Sequence, residues 1–159
     1  MRKTILIPTD FTITPLLLLK HVAATSAVEL DVIFLYCTSL PDSITDLLFY
    51  SPKKIIEAAV TTAFSEGCAV IQNKYPEKIQ SIRFELFHAR SVDAFQIMAE
   101  MNGIDEAILA HTPAASRKQS FDPAPIIRKS AVPFREVDLE SHAYAPERDL
   151  LTELFVSAV

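Results

Sequence analysis

The chain has 159 residues, is 50% apolar and 22% charged, contains no tryptophan and carries a net charge of −5, the figures of a single ordinary globular domain. At this length a chain buries roughly 70% of the surface its unfolded form exposes, so the core needs neither disulfide nor metal staples. The acidic balance argues against a general nucleic-acid or anionic-membrane binder, because a basic surface supplies most of the affinity in such proteins.

The first short apolar run is Thr4 to Pro8; Met1-Arg2-Lys3-Thr4 leads into only four apolar residues before Asp10 interrupts, so a secretory leader is not expected. The expected compartment is the cytoplasm. Thr14-Pro15 starts a helix to about Ala27, the hydroxyl capping free N–H groups and the proline fitting the first helical position. That helix contains the longest wholly apolar run, Pro15 to Leu19, far short of the ~20 residues that span a bilayer. A second apolar run covers Leu30 to Tyr36. From Thr38 to Tyr50, Pro41, Asp42 and Ser43 lead into Leu47-Leu48-Phe49-Tyr50, and this stretch is expected to cross the sheet edge as a short helix.

Ser51-Pro52 opens a second long helix, whose apolar positions Ile56, Val60, Ala63, Phe64, Gly67 and Ile71 keep helical spacing until Tyr75-Pro76 stops it. Gly67 in mid-helix costs roughly 1 kcal/mol against alanine, and either a close helix-to-sheet approach or neutral tolerance accounts for it. Ile82 to Phe87 is a third strand that alternates partly. After Ser91, Ala94, Ile97, Met98 and Met101 form the stripe of a helix that ends at the left-handed cap pair Asn102-Gly103. Glu106 to Ala110 and, more weakly, Val132 to Val137 complete five strands. In the tail after Leu139, Pro146, Glu147 and Asp149 make a helix start, and Leu150, Leu151, Leu154, Phe155 and Ala158 an apolar stripe. Short apolar runs alternating with segments of helical period are the pattern of an α/β fold with buried parallel strands joined by crossover helices.

In such a sheet ligands bind beyond the carboxyl ends of the strands, where the strand order reverses. The candidates are therefore Pro8, Thr9 and Asp10 after the first strand, Cys37 and Thr38 after the second, His88, Ala89 and Arg90 after the third, and His111 and Thr112 after the fourth. Asp10 either accepts hydrogen bonds from an amine or ribose hydroxyl of a ligand, or caps the turn between Asp10 and Thr14. Asp10 with His88 and His111 has the composition of a two-histidine-one-carboxylate metal site, but the four histidines are scattered and no local pair preorganises ligands, so no resident metal is expected. No serine sits in a recognisable nucleophile turn. Cys37 and Cys68 lie in apolar segments without a close pair and read as reduced core residues. Arg117, Lys118, Arg128 and Lys129 fall within thirteen residues opposed only by Asp122, and either reach a phosphate or form a solvated basic face. Gly67 and Gly103 are the only glycines where average usage gives roughly eleven. The dinucleotide fingerprint, the phosphate loop, the glycine-flanked serine elbow and the calcium loop all need glycines that this chain lacks.

Three strings, Ile-Leu-Ile-Pro-Thr-Asp-Phe-Thr at 5–12, Leu-Asp-Val-Ile-Phe-Leu-Tyr-Cys at 30–37 and Ile-Asp-Glu-Ala-Ile-Leu-Ala-His at 104–111, resemble the universal stress protein family. Ile126 to Pro133 looks like that family's last helix and its approach to the fifth strand. The resemblance covers about Lys3 to Asp138. It implies an open, doubly wound, five-stranded parallel sheet of order 3-2-1-4-5 (adenine-nucleotide alpha-hydrolase-like) over residues 1–138, with 139–159 a helical extension of the same domain. It also implies a dimer through the last strand. Many members bind ATP, with the first-turn aspartate near adenine and ribose and a glycine-rich loop after the fourth strand around the phosphates. Pro8, Thr9 and Asp10 match the first part. The family's glycines fall on His111 to Ala114 and about Gln119, and only Ser120 matches the later hydroxyl position, so ATP is not expected as a cofactor held by the usual loop.

The fifth strand also departs, because Arg135 and Glu136 place charges on an edge where charge discourages pairing. The tail stripe then covers the chain's own sheet edge or makes an interface with a second copy or a partner protein. The function expected is a non-catalytic stress-response or regulatory role exercised through protein association or a small ligand, with neither nucleic acid nor membrane as partner. Two alternatives stand beside it. One is a nucleotide binder with a degenerate site that uses Asp10, Ser120, Arg117, Lys118 and Arg128 in place of glycine amides. The other is a metal-dependent enzyme at Asp10, His88 and His111.

Overall fold

In the computed structural model, residues 1–111 and 121–139 are described. Ile5, Leu6 and Ile7 have no exposed surface: Ile5 and Ile7 face one hydrophobic core and Leu6 the other, so a continuous apolar run becomes a strand covered on both sides. This strand, β1 (Arg2–Pro8), is the centre of the sheet. Around it β2 (Glu29–Cys37), β3 (Ile79–Phe87), β4 (Glu106–Ala110) and β5 (Phe134–Val137) pair in parallel in the order β3-β2-β1-β4-β5. The expected order is therefore the observed one.

Helices α1 (Ile13–Thr25), α2 (Ile44–Leu48), α3 (Pro52–Ala59) and α4 (Thr62–Lys74) belong to the first two crossovers. Leu16, Leu19, Phe64 and Ile71 from α1 and α4 pack with Val32 and Phe34 of β2 in the first core. On the opposite face, Phe95 and Ala99 of α5 (Val92–Met101) and Ile127 of α6 (Ala124–Lys129) pack with Leu35, Ala107 and Leu109 in the second. Aromatic rings thicken the first core, where Phe34 lies 5.2 Å from Phe64 and 5.8 Å from Phe84 between centroids. Among the described residues, no helix is long and apolar enough to cross a membrane.

Several boundaries depart from the sequence expectation, among them β1, which begins at Arg2 rather than Thr4, and β3, which begins at Ile79 rather than Ile82. The chain enters α1 two residues early, at Ile13 after Thr12, so Thr14 is not the cap and Pro15 falls inside the first turn, where its missing N–H still has no helical partner to lose. The long helix expected from Ser51 to Tyr75 is two helices. Val60 is extended (φ −66°, ψ 125°), and the Thr61 hydroxyl accepts a 3.0 Å hydrogen bond from the Phe64 N–H, so a new N-cap restarts the chain as α4 without disturbing the apolar period. Strand β5 begins at Phe134 rather than Val132. The short helix expected between Thr38 and Tyr50 is α2, capped by Ser43, whose hydroxyl accepts from the Asp46 N–H at 2.9 Å. Gly103 takes φ +64° behind α5, the left-handed cap its position implied. The tail expected to form a helix, 140–159, lies outside the described residues.

Candidate functional site

Beyond β1 the chain reverses in a turn held by its own side chains. The Thr9 N–H donates to the Leu35 carbonyl (2.9 Å), and Thr9 Oγ1 accepts from the Phe11 N–H (2.9 Å). Asp10 Oδ1 accepts from both the N–H (3.0 Å) and the hydroxyl of Thr12. The turn-capping reading of Asp10 is thus satisfied by one oxygen. The other, Oδ2, is buried and has no hydrogen-bond partner among the described residues, in a side chain only 7% exposed. Phe11 supplies the reversal with φ +62°, a left-handed conformation that costs an L side chain roughly 1–2 kcal/mol. Its ring, 5.0 Å from Tyr36 and 5.2 Å from Phe64, holds it there.

Between β1 and β4 the strand order reverses, and a cleft of about 70 Å³ opens there, lined among others by Pro8, Thr14, His111, Asp122 and Arg128. The charged groups at its rim are engaged with one another. Arg128 donates to Glu136 Oε1 from Nε (3.0 Å) and Nη2 (2.7 Å), and His111 Nδ1 lies 3.6 Å from Glu136 Oε2. The Arg128 hydrogen bonds, opposed by some desolvation and helped by its charge and by His111, hold the Glu136 carboxyl below its ordinary range. Asp122 accepts from the Ala124 N–H (2.9 Å) and so fixes the start of α6.

A second group gathers at the ends of β2 and β3. His88 Nδ1 is 2.8 Å from the Thr38 carbonyl, which can only accept, so Nδ1 donates, and Nε2 is hydrogen-bonded with the Tyr50 hydroxyl. Both imidazole nitrogens are engaged. Arg90 lies over the Phe121 ring (4.2 Å to the centroid) and reaches the Ser39 hydroxyl at 3.4 Å. Cys37 beneath is 1% exposed; burial, with the Asp122 charge, pushes its thiol up against the weaker opposing effect of Arg90.

The carboxyl edge therefore divides the candidates. Pro8, His111 and Arg128 meet at the cleft, and Thr9 and Asp10 form the turn that connects Pro8 to Thr14. Cys37, His88 and Arg90 belong to the other group. His88 faces Tyr50 and Thr38 while His111 faces Glu136, and no three His, Cys, Asp or Glu side chains among the described residues are placed to hold a metal ion. Thr112, Ser120, Arg117 and Lys118 lie outside the described residues. Tyr50, Phe121 and Glu136 are absent from the sequence candidates. Glu136 was visible as an unexpected charge in an apolar strand, but nothing local tied it to Arg128.

No protein-family model matches the chain, and no curated protein matches it. Solved structures do. The hypothetical protein PH0823 matches with a TM-score of 0.54 at 16% identity, over 86% of this chain and 95% of that one. UspA, the universal stress protein from Lactobacillus plantarum, gives 0.53 at 11% identity over 85% and 97%. A universal stress protein family protein from Arabidopsis thaliana, with AMP bound, gives 0.50 at 8% identity over 86% and 91%. These neighbours carry the same fold.

Proposed function

We propose, starting from the universal stress protein fold, that this chain is a non-catalytic stress-response or regulatory protein whose strand-reversal cleft takes a small ligand without a triphosphate cradle. The pairing of the cleft's cation carries the reading: Arg128 gives two hydrogen bonds to Glu136, so an incoming phosphate must compete with a carboxylate already in place. The space agrees. About 70 Å³ accommodates a few water-sized groups, against roughly 300–1,000 Å³ for the pockets of drug-sized ligands. Asp10 Oδ2, buried without a partner in the turn between the lining residues Pro8 and Thr14, favours a ligand that offers an N–H or O–H donor.

One observation supports a nucleotide as the second reading: the same orphaned carboxylate oxygen suits a ribose hydroxyl or an amine, and the Arabidopsis neighbour contains AMP. Thermal-shift titration with AMP and with ATP, with and without magnesium, separates the two. A ligand at 100 times its dissociation constant stabilises a folded domain by about 2.7 kcal/mol, several degrees at this size. The proposal expects no ATP-dependent rise at millimolar concentration. A dose-dependent rise that Arg128→Ala abolishes assigns the arginine to phosphate instead and overturns it.

A further inference from the structure

We propose that the outer edge of β3 docks a second copy of this chain, strand against strand and antiparallel, with Phe84 at the two-fold axis. Strand β3 closes one side of the sheet, and among the described residues no strand pairs with its outer side. It is nine residues long where strands commonly have about five or six, and it holds neither proline nor lysine, two devices that keep an edge from pairing. The irregularity in its pairing with β2 falls at Gln80 and leaves residues 81–87 in regular register.

The ladder to β2 shows which main-chain groups face outward. The Thr38 N–H donates to the Phe87 carbonyl (3.1 Å), so Phe87 directs its backbone groups to β2, and the alternation along a strand gives Arg83 and Glu85 the same direction. Ile82, Phe84 and Leu86 therefore turn their N–H and C=O groups away from the sheet. Their side chains pack against the first core yet stay only partly buried, whereas Val32 and Phe34, their neighbours on β2, have no exposed surface.

The side chains identify the occupant as the chain itself, in one register. Read from Phe84 in both directions, Ile82-Arg83-Phe84-Glu85-Leu86 is self-complementary, apolar opposite apolar and cation opposite anion, the order that a two-fold axis requires. With Phe84 against its own copy and Ile82 against the copy's Leu86, the outward groups close about six main-chain hydrogen bonds. Arg83 then falls opposite the copy's Glu85 in the non-hydrogen-bonded position, where Cα atoms lie about 4.5 Å apart and side chains come closest. Within one chain Arg83 and Glu85 are already paired at 3.3 Å with side chains 48% and 35% exposed, so the pairs of the two copies join in a ring of alternating charge. A slip of two residues in either direction sets Arg83 against Arg83 or Glu85 against Glu85, which repels. The other edge, β5, is the weaker candidate, because it has four residues and its Arg135 and Glu136 are taken up by Glu106 and Arg128.

Sedimentation equilibrium on the full-length protein tests this, with a dimer expected at micromolar concentration. Arg83→Glu and Glu85→Arg each create repelling pairs on both sides of the axis, and each alone should weaken dimerisation by about tenfold or more. Mixing the two variants should restore a dimer with one copy of each, since every facing pair is then opposite in sign, and the double exchange Arg83→Glu with Glu85→Arg should restore it as well. A misfolded variant is not rescued by mixing, so recovery separates loss of the contact from loss of the fold. Amide exchange at Ile82, Phe84 and Leu86 should slow in the dimer, while that at Arg83 and Glu85, already bonded to β2, should change little. A wild type that stays monomeric up to millimolar concentration overturns the proposal. So does a dimer indifferent to both charge reversals, which places the interface elsewhere, or a weakened one that neither mixing nor the double exchange restores.

Discussion

Cys37 is 1% exposed and Cys68 lies against the first core, and burial pushes both thiols up, Cys68 to about 12. In the native protein a disulfide reagent at pH 8 is expected to react at least about a thousandfold more slowly than with a free thiol, and both thiols should react promptly in denaturant. Phe11 permits a sharper test. Phe11→Ala should cost about 3–4 kcal/mol by urea denaturation, because it empties an aromatic cluster. Phe11→Gly loses the same ring but relieves φ +62°, so it should be more stable than the alanine variant by about 1 kcal/mol, the reverse of the usual ranking. The Pro8-Thr9-Asp10 turn was legible in sequence because its chemistry is local, two hydroxyls and a carboxylate bonding two residues away. The positive φ at Phe11 was not, since aromatic residues carry no preference for that region. Tyr50 and His88 are separated by 38 positions and Arg128 and Glu136 by a helix end and a turn, distances over which no pattern announces a pair.

At the scale of elements, α4 exists as a separate helix because Thr61 caps it. Thr61→Ala should cost about 1 kcal/mol and increase amide exchange in the first turn of α4 ahead of the rest. Tyr50→Phe removes the bond to His88 and should raise protease cleavage between Leu40 and Phe49 while lowering global stability by only about 1 kcal/mol. At the amino edge, Asp31 joins three strands, accepting from Arg2 Nε of β1 at 2.7 Å and from the Ser81 hydroxyl of β3 at 2.7 Å. Desolvation raises its pKa, but the Ser81 and Arg2 hydrogen bonds and the nearby charges outweigh it and lower it below 3.8. The stabilisation is therefore complete above 3.8 and lost as pH falls through the lowered value. Asp31→Asn should weaken the protein at pH 7 by no more than about 1 kcal/mol, and the two denaturation curves should converge in strong acid. Strands were the most legible elements because burial on both faces leaves unbroken apolar runs. The break at Val60 was hidden because the residues on either side of it keep one apolar period, so a change of backbone direction left the pattern intact.

For the molecule as a whole, the order 3-2-1-4-5 puts the cleft where β1 and β4 part, and Lys3 and Arg135 both reach Glu106 on β4 (3.4 and 3.2 Å), tying the centre of the sheet to its β5 edge. The charges of β5 that looked incompatible with an edge strand are taken up within the chain, Arg135 by Glu106 and Glu136 by Arg128. Breaking both pairs with Arg135→Ala and Glu136→Ala should leave the fold intact and change the melting temperature by a few degrees at most, since exposed pairs contribute little. The central place of β1 also matters while the protein is being made. A strand synthesised first acquires β2 early, but its second neighbour is not translated until Glu106, so one side of Ile5–Ile7 must wait through roughly seventy further residues, several seconds at 5–20 residues per second. During that interval a nascent chain presents an apolar, unpaired strand edge to the cell. The strand order that builds the cleft thus also sets a window in which the emerging chain depends on chaperones, and translation paused before Glu106 should lengthen it.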